Sequence, residues 1–177
     1  MPYVIPQDRV LNSPFKPVVS LVRTVVASVF NRDISADDKL SETETIVILG
    51  TKLMMDMGHS APHIQAIFRH FLVDIKLWVA QLNARYREDA KAPGPMMLVI
   101  LDNSVATLLR AEEGLGKSYF DFTQATMVEA PRQPVLQVGL SLSRLFSLAL
   151  GDPKDRWYPR SLAEAAEADP PADQSAR

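Results

Sequence analysis

The sequence predicts an α+β protein, with a helical region first, a small β-containing region next and a helix near the end. Over residues 16–91, apart from the polar connection "NRDISADDKL", apolar residues recur at every third or fourth position, which is the period of an amphipathic helix. The stretch "KAPGP" interrupts this pattern, and two apolar runs of strand length follow it. Helical spacing then returns in "SLSRLFSLALG". These three changes of pattern define the predicted fold class.

Composition and charge limit the classes of function. The chain has 177 residues, 47% hydrophobic and 23% charged, and these values are ordinary for a soluble globular protein. It has no cysteine, which excludes disulfides, thiolate zinc sites and cysteine nucleophiles and fits a reducing cytoplasm. No apolar run reaches about 18 residues, so we expect no membrane-spanning helix and no membrane partner. The net charge of −2 means that any nucleic-acid function needs a local basic face.

The chain divides into four predicted segments. Early prolines predict an extended N-terminal arm over residues 1–15, because each proline restricts the residue before it. Residues 16–91 form the predicted helical domain. Residues 92–150 form a predicted small α/β region for dimerisation or partner binding. The acidic segment 151–177 has few apolar residues to bury, and we expect it to be largely disordered.

Two helices are predicted in the first half of the helical domain. The first begins near Lys16 or Pro17 and carries one apolar face, formed by Val18, Leu21, Val22, Val25, Val26 and Val29. The second begins at Ser41, because Glu44 three residues later completes the capping-box pattern. Its apolar stripe is Ile46, Val47, Leu49, Leu53, Met54 and Met57. Gly58 is expected to end this helix in a left-handed conformation.

A further apolar stripe follows Gly58. Ser60 is a suitable N-cap, and Pro62 lies in the first turn, where its missing N–H costs nothing. The stripe runs through Ile64, Ile67, Phe68, Phe71, Ile75, Trp78, Val79 and Leu82. It predicts either one long helix or two helices with a subtle break.

The second half of the chain contains the predicted strands. Two β-runs lie on either side of Asp102, Asn103 and Ser104, and the Asp-Asn pair tolerates the positive φ of a hairpin turn. "KSYFDFT" alternates as a half-buried strand does, and "PVLQVGL" is a candidate short strand. The predicted final helix ends at Gly151.

The segment Thr51–Phe71 has the pattern of a helix-turn-helix. Such a motif needs a small residue at its turn, apolar residues on both sides and exposed polar residues at the start of its second helix. Gly58 occupies the turn. The predicted inward residues are Leu53, Met54 and Met57 before the turn and Ile64 and Ile67 after it. The predicted outward residues are Ser60, Ala61, Gln65 and Arg69.

The run Thr51-Lys52, then Asp56-Met57-Gly58, then Ile64 and Ile67 resembles the helix-turn-helix of phage Cro-type and related bacterial repressors. The resemblance covers residues 51–71 only. It departs from the family at two positions. Met54 replaces a small residue, and Pro62 lies inside the helix that would read DNA.

The resemblance implies a bacterial or phage transcriptional regulator that binds duplex DNA as a homodimer. Gln65 could pair with adenine, Arg69 could reach guanine or phosphate, and Lys52 and the N–H groups near Ser60 could hold phosphates. The predicted DNA-contacting residues are Lys52, His59, Ser60, Ala61, His63, Gln65 and Arg69. Residues 50–91 carry six basic and four acidic side chains, a local charge of +2 that favours this hypothesis.

An ordinary pair of packed helices with a Gly-Ser turn predicts the same apolar spacing and the same glycine. The length of the second stripe favours this alternative, because reading helices are usually shorter. The matching function is a non-enzymatic protein–protein interaction module, such as an antitoxin-like protein, an adaptor or a phage or structural component, that uses apolar helices.

Catalytic and metal motifs are not evident. "HSAPH" places His59 and His63 four apart but lacks the Glu of a zinc-protease motif, so we expect no metal. "EEGLGKSYF" lacks the first glycine of a phosphate loop, and no Gly-x-Ser-x-Gly elbow occurs. We therefore expect no cofactor and no enzymatic activity.

Overall fold

The computed structural model describes residues 4–88, 96–101, 105–110 and 137–145. It contains both helices and strands, in agreement with the predicted α+β class. In chain order the elements are β1 (Val4–Ile5), α1 (Gln7–Leu11), α2 (Val19–Phe30), β2 (Leu40–Ser41), α3 (Glu42–Asp56), α4 (Ala61–His70), α5 (Leu72–Glu88), β3 (Met96–Leu101), β4 (Val105–Arg110) and β5 (Gln137–Ser141). None of the helices in these ranges is both long enough and apolar enough to cross a bilayer.

The N-terminal segment is folded against the helices rather than extended along its whole length. β1 pairs antiparallel with β2, and α1 follows directly. The Gln7 amide donates hydrogen bonds to the carbonyl oxygens of Ser35 and Asp38 at 2.6 and 2.7 Å. Ile5 and Val10 are buried in the main core. Proline spacing alone suggested an extended arm, but burial of these two apolar side chains stabilises a short helix.

α2 begins at Val19, two or three residues later than the predicted start at Lys16 or Pro17. Its buried face contains the predicted residues Leu21, Val22, Val25, Val26 and Val29. Val18 was expected on that face but is 61% exposed, because it is the extended N-cap residue rather than part of the helix. Asn31 closes α2 in a left-handed conformation with φ of 52°.

α3 begins with the predicted capping box. The Ser41 hydroxyl accepts a hydrogen bond from the Glu44 N–H at 3.2 Å, and the Glu44 carboxylate accepts one from the Ser41 N–H at 2.6 Å. All residues from Glu42 to Thr51 are buried, so α3 is a central helix and not a helix with one apolar face. α2, α4, α5 and β2 all pack against it. Met57, predicted in its apolar stripe, is 54% exposed beyond its last turn.

The long apolar stripe after Gly58 forms two helices. Phe71 separates α4 from α5, with φ of −93° and ψ of 8°. The N–H of Phe71 still bonds to the Ile67 carbonyl, and the N–H of Ile75 bonds to the Phe71 carbonyl. The buried face of α5 contains the predicted Ile75, Trp78, Val79 and Leu82.

The described strands β3, β4 and β5 form an antiparallel sheet in the order β4-β3-β5. Leu101 pairs with Val105, so the predicted hairpin is confirmed, although its turn residues 102–104 lie outside the described residues. β5 overlaps the predicted strand "PVLQVGL" from Gln137 to Leu140 and ends one residue beyond it, at Ser141. The predicted strand "KSYFDFT", most of the final helix and the segment 151–177 also lie outside the described residues. Leu98, Ile100 and Leu140 belong to the same hydrophobic core as the helices.

Candidate functional site

The turn between α3 and α4 has a well-defined backbone geometry. Gly58 adopts a φ of 94°, which is rare for residues with a side chain. Its N–H bonds to the Met55 carbonyl at 2.9 Å, and the His59 N–H bonds to the Met54 carbonyl at 3.0 Å. This pair of bonds is the Schellman arrangement, in which the last carbonyls of a helix find donors in the following turn. Gly58 therefore ends α3 as predicted.

α4 begins directly after this turn. Ser60 occupies the N-cap position with an extended backbone, but its hydroxyl makes no capping hydrogen bond. Pro62 lies in the first turn, as expected. α4 is only ten residues long, and both α2 and α3 pack against it. The turn thus joins α3 and α4, which both pack against α2.

The buried face of α4 differs from the predicted one. Ile64, Gln65 and Phe68 are buried, whereas Ile67 is only half-buried. The expectation that Gln65 faces outward is therefore wrong: the residue is 6% exposed. Phe68 packs against Gly50 of α3, while Gln65 faces Ser28 of α2.

Gln65 and Arg69 both contact Ser28 near the end of α2. The Ser28 hydroxyl donates a hydrogen bond to Gln65 Oε1 at 2.9 Å. Arg69 donates from Nε and Nη2 to the Ser28 carbonyl oxygen at 3.0 and 2.6 Å. This carbonyl is among the last four of α2, which have no partner within the helix. Arg69 thus satisfies a helix end, and its positive charge is favourable there.

The other predicted DNA-contacting residues are spread around the turn. Lys52 forms an ion pair with Asp56 one helical turn away on α3. His59 is buried, and Ala61 and His63 are half-buried. His63 Nε2 is buried and has no hydrogen-bond partner in the described part of the chain. Of the seven predicted residues, Ser60 and Arg69 are exposed. His59, Ser60 and Ala61 lie at the turn, whereas Gln65 and Arg69 contact Ser28 of α2.

The exposed surface of α4 offers few groups that could read base edges. Pro62, Ala66, Arg69 and His70 are its exposed residues. Pro62 and Ala66 have no polar side-chain atom, and Arg69 already donates to Ser28. Direct readout depends on side-chain donors and acceptors placed in a groove. In the conformation described, His70 is therefore the exposed residue of α4 whose side-chain donors and acceptors are not used by a bond to Ser28.

α5 has a second apolar face that the sequence analysis missed. Val73 is 67% exposed and Leu77 is 57% exposed, and Ala80 is exposed on the same side. These positions are spaced by four and then three residues, on the side opposite the buried Ile75 and Leu82. Counting two apolar stripes on one helix would have found this face. We call Val73, Leu77 and Ala80 the α5 stripe.

The buried side of α5 includes a polar link to α3. Asn83 donates a hydrogen bond to Oε2 of Glu42, a residue at the start of α3. Burial raises the pKa of Glu42, and the hydrogen bond from Asn83 opposes that shift. This link and the buried apolar residues hold α5 against the core, so the α5 stripe is presented on a fixed helix.

No group of three or more histidine, aspartate or glutamate residues is placed to hold a metal ion within the described ranges. No protein-family model, curated protein or solved structure matches this chain. The helix-turn-helix resemblance therefore rests on residues 51–71 alone, and the candidate surfaces are the face of α4 and the α5 stripe.

Proposed function

We propose that this chain is a non-enzymatic protein–protein interaction module that binds an apolar helix of its partner through the α5 stripe. The observation that carries the proposal is the exposure of Val73 and Leu77, two large apolar side chains one helical turn apart. An amphipathic helix face of this kind is a common recognition surface for another helix.

The exposure of Val73 and Leu77 has an energetic consequence. Apolar surface removed from water contributes roughly 25 cal/mol per Å², so covering two such side chains favours association. Single exposed apolar residues are ordinary on protein surfaces. Val73 and Leu77 differ because they are neighbours on one helix and Ala80 extends the same face.

The fixed position of α5 also favours binding. Its opposite side is buried through Ile75, Trp78 and Leu82. A partner that binds the α5 stripe therefore does not have to order the helix first, which lowers the entropic cost of association. The polar side chains of α4 lack this advantage for DNA, because Gln65 and Arg69 already bond to Ser28.

A photo-crosslinking amino acid at position 73 or 77 tests this proposal in cells that produce the protein. The matched control carries the same amino acid at Val18, which is exposed to a similar extent outside the stripe. We expect protein adducts at positions 73 and 77 but not at 18. Leu77→Glu should abolish the adduct formed at position 73. The absence of any protein adduct at both stripe positions would overturn the proposal.

A second candidate function is duplex-DNA binding as a transcriptional regulator. The observation that favours it is the backbone of the turn, with Gly58 at φ of 94° leading into a helix of only ten residues. The long apolar stripe after Gly58 favoured an ordinary pair of packed helices, because reading helices are usually short. Since α4 ends at His70, this objection to a helix-turn-helix does not apply. In this hypothesis Ser60, His63 and Arg69 contact DNA, and Arg69 exchanges the Ser28 carbonyl for a phosphate oxygen.

Selection of bound duplexes from a random pool tests the DNA hypothesis, followed by mobility-shift titration at several salt concentrations. DNA binding predicts that log affinity falls linearly with log salt, with a slope set by the number of phosphates contacted. Arg69→Ala should reduce this slope. Arg23→Ala, on the exposed face of α2, should leave it unchanged. No retardation at low salt would exclude this function. A cytoplasmic location stays a prediction based on the cysteine-free sequence.

A further inference from the structure

We infer that the partner of the α5 stripe is a second copy of this chain, with the two α5 helices packed side by side in parallel. This inference rests on the proposed interaction function and names its partner. It follows from the spacing of the α5 stripe and from the charges on its two sides.

The spacing of the α5 stripe matches the contact positions of a two-helix coiled coil. Val73, Leu77 and Ala80 fall at successive d, a and d positions of a heptad. Leucine at such a position provides a large apolar contact, and a small alanine allows close approach of the helices. α5 has 17 residues, so the stripe lies on a helix of about 25 Å. Over residues 73–80, one heptad of this helix, the seam therefore has the spacing that the same residues of a second copy can match.

The charges beside the stripe favour a parallel arrangement. Lys76 is exposed on one side of the stripe and Asp74 is exposed on the other. In a parallel pair of identical helices, opposite sides of the two stripes meet, so the lysine side of each copy faces the aspartate side of the other. In an antiparallel pair, like sides meet instead. Opposite charges attract across the parallel interface, and this attraction sets the orientation.

Both charges are placed to contact another molecule. Asp74 makes no hydrogen bond or ion pair with any described residue. The Lys76 ammonium lies 5.7 Å from the centre of the Phe30 ring, a contact that leaves it exposed. A twofold axis parallel to α5 repeats the Lys76–Asp74 relationship on both sides of the seam.

Single cysteines test both the partner and the orientation, because the natural chain has none. Val73→Cys and Leu77→Cys are each oxidised in the purified full-length protein, with Val18→Cys as the matched exposed control. A parallel pair places each cysteine beside the same cysteine of the other copy. Both stripe variants should therefore form a disulfide-linked species of twice the 19.7 kDa chain mass. The control should remain monomeric.

An antiparallel pair gives a different result. In an antiparallel pair, each residue lies at some distance along the helix axis from the same residue of the other copy. Because positions 73 and 77 are four residues apart, these two distances differ by up to about 12 Å. No more than one of the two variants could then form a disulfide. Cross-linking of only one variant, or of neither, would overturn the parallel pair.

Sedimentation equilibrium of the cysteine-free protein provides the second measurement. We expect a dimer whose dissociation constant rises at least tenfold in Leu77→Glu and stays unchanged in Val18→Glu. Asp74→Lys and Lys76→Glu should each weaken the dimer, and the combined charge exchange should restore it. A wild-type protein that stays monomeric at its highest soluble concentration would overturn the inference.

The two proposals fail in distinguishable ways. A monomeric wild type that forms stripe-dependent photo-adducts with a different protein would exclude self-pairing and leave the interaction function standing. A monomeric wild type without photo-adducts at positions 73 and 77 would exclude both.

Discussion

Gly50 of α3 lies directly against the ring of Phe68 of α4. A Cβ atom at position 50 would be 2.7 Å from Cζ of Phe68 and 3.2 Å from Cδ2 of Leu140 in β5. The missing side chain therefore lets α3, α4 and the sheet approach one another at a single point. Phe68 is fully buried at this contact, and Gln65, one turn earlier on α4, is buried against Ser28 of α2.

We predict that Gly50→Ala destabilises the protein, although alanine is the better helix former. Overpacking costs about 1–3 kcal/mol, and the gain in helix propensity offsets about 1 kcal/mol of that cost. Urea unfolding should show a net loss on the order of 1 kcal/mol. Phe68→Leu provides the control. The stability loss of the double variant should be smaller than the sum of the losses of the two single variants. Additive losses would argue against the contact.

Gly58→Ala should destabilise the protein for a different reason. No atom lies within 4 Å of a Cβ built at this position, but the φ of 94° is strained for any residue with a side chain. We expect a loss of about 1 kcal/mol, since a left-handed residue with a Cβ costs 1–2 kcal/mol. Gly58→Asn should lose less, because asparagine tolerates positive φ better. Thermal unfolding of the two variants gives the comparison, and equal losses would contradict this explanation.

Gln65→Ala should lower the free energy of unfolding by about 1 kcal/mol, because it removes the 2.9 Å bond from the Ser28 hydroxyl, which keeps only its longer 3.4 Å contact with the Val25 carbonyl. Gln65→Met with Ser28→Ala replaces both polar partners and should be closer to neutral. Arg23→Ala, on the exposed side of α2, serves as a surface control expected within about 0.5 kcal/mol. Wild-type stability in Gln65→Ala would mean that Gln65 faces solvent, as a residue that reads DNA would.

The burial of Glu42 predicts a pH dependence of stability. Burial raises the pKa of Glu42 above its ordinary value of 4.5, so the folded protein holds this proton more tightly than the unfolded chain does. The stabilising contribution is fully present below the unfolded pKa and is lost as pH rises through the folded pKa. Glu42→Gln should remove this loss.

The stability difference between Glu42→Gln and wild type measures this effect when it is followed from pH 3 to pH 8. The difference should move in favour of the variant as pH rises. Asn83→Ala removes the hydrogen bond that opposes the shift and should extend the pH window upward. A difference that does not change with pH would contradict the assigned role of burial.

Local features of the chain were predictable from the sequence. The capping box of Ser41 and Glu44 and the helix stop at Gly58 depend on residues within a few positions of each other. The β3–β4 hairpin was also predicted, because its strands are adjacent in the chain. Backbone preferences and short-range hydrogen bonds decide such features before any tertiary contact forms.

The candidate site was less predictable, because it depends on which side of each helix is buried. Ile64 was correctly placed inward, but spacing alone also placed Ile67 inward and Gln65 outward. The bond from Ser28 and the packing of Phe68 on Gly50 reverse that assignment for Gln65. The spacing of the α5 stripe is readable from the sequence, but which of the two apolar faces of α5 stays exposed depends on which one the core covers.

The sequence by itself determined the start of α3 at its capping box, its end at Gly58 and the β3–β4 hairpin, because caps, glycine turns and strand alternation act over a few residues. Only the tertiary structure decided that α3 is buried on all sides from Glu42 to Thr51, that Arg69 satisfies the end of α2 and that Val73 and Leu77 stay exposed. These outcomes depend on contacts between distant segments, such as the bond from Arg69 to Ser28 and the packing of Leu140 beside Gly50. Burial is a property of the assembled fold, and a helical period alone does not specify which neighbour will cover which face.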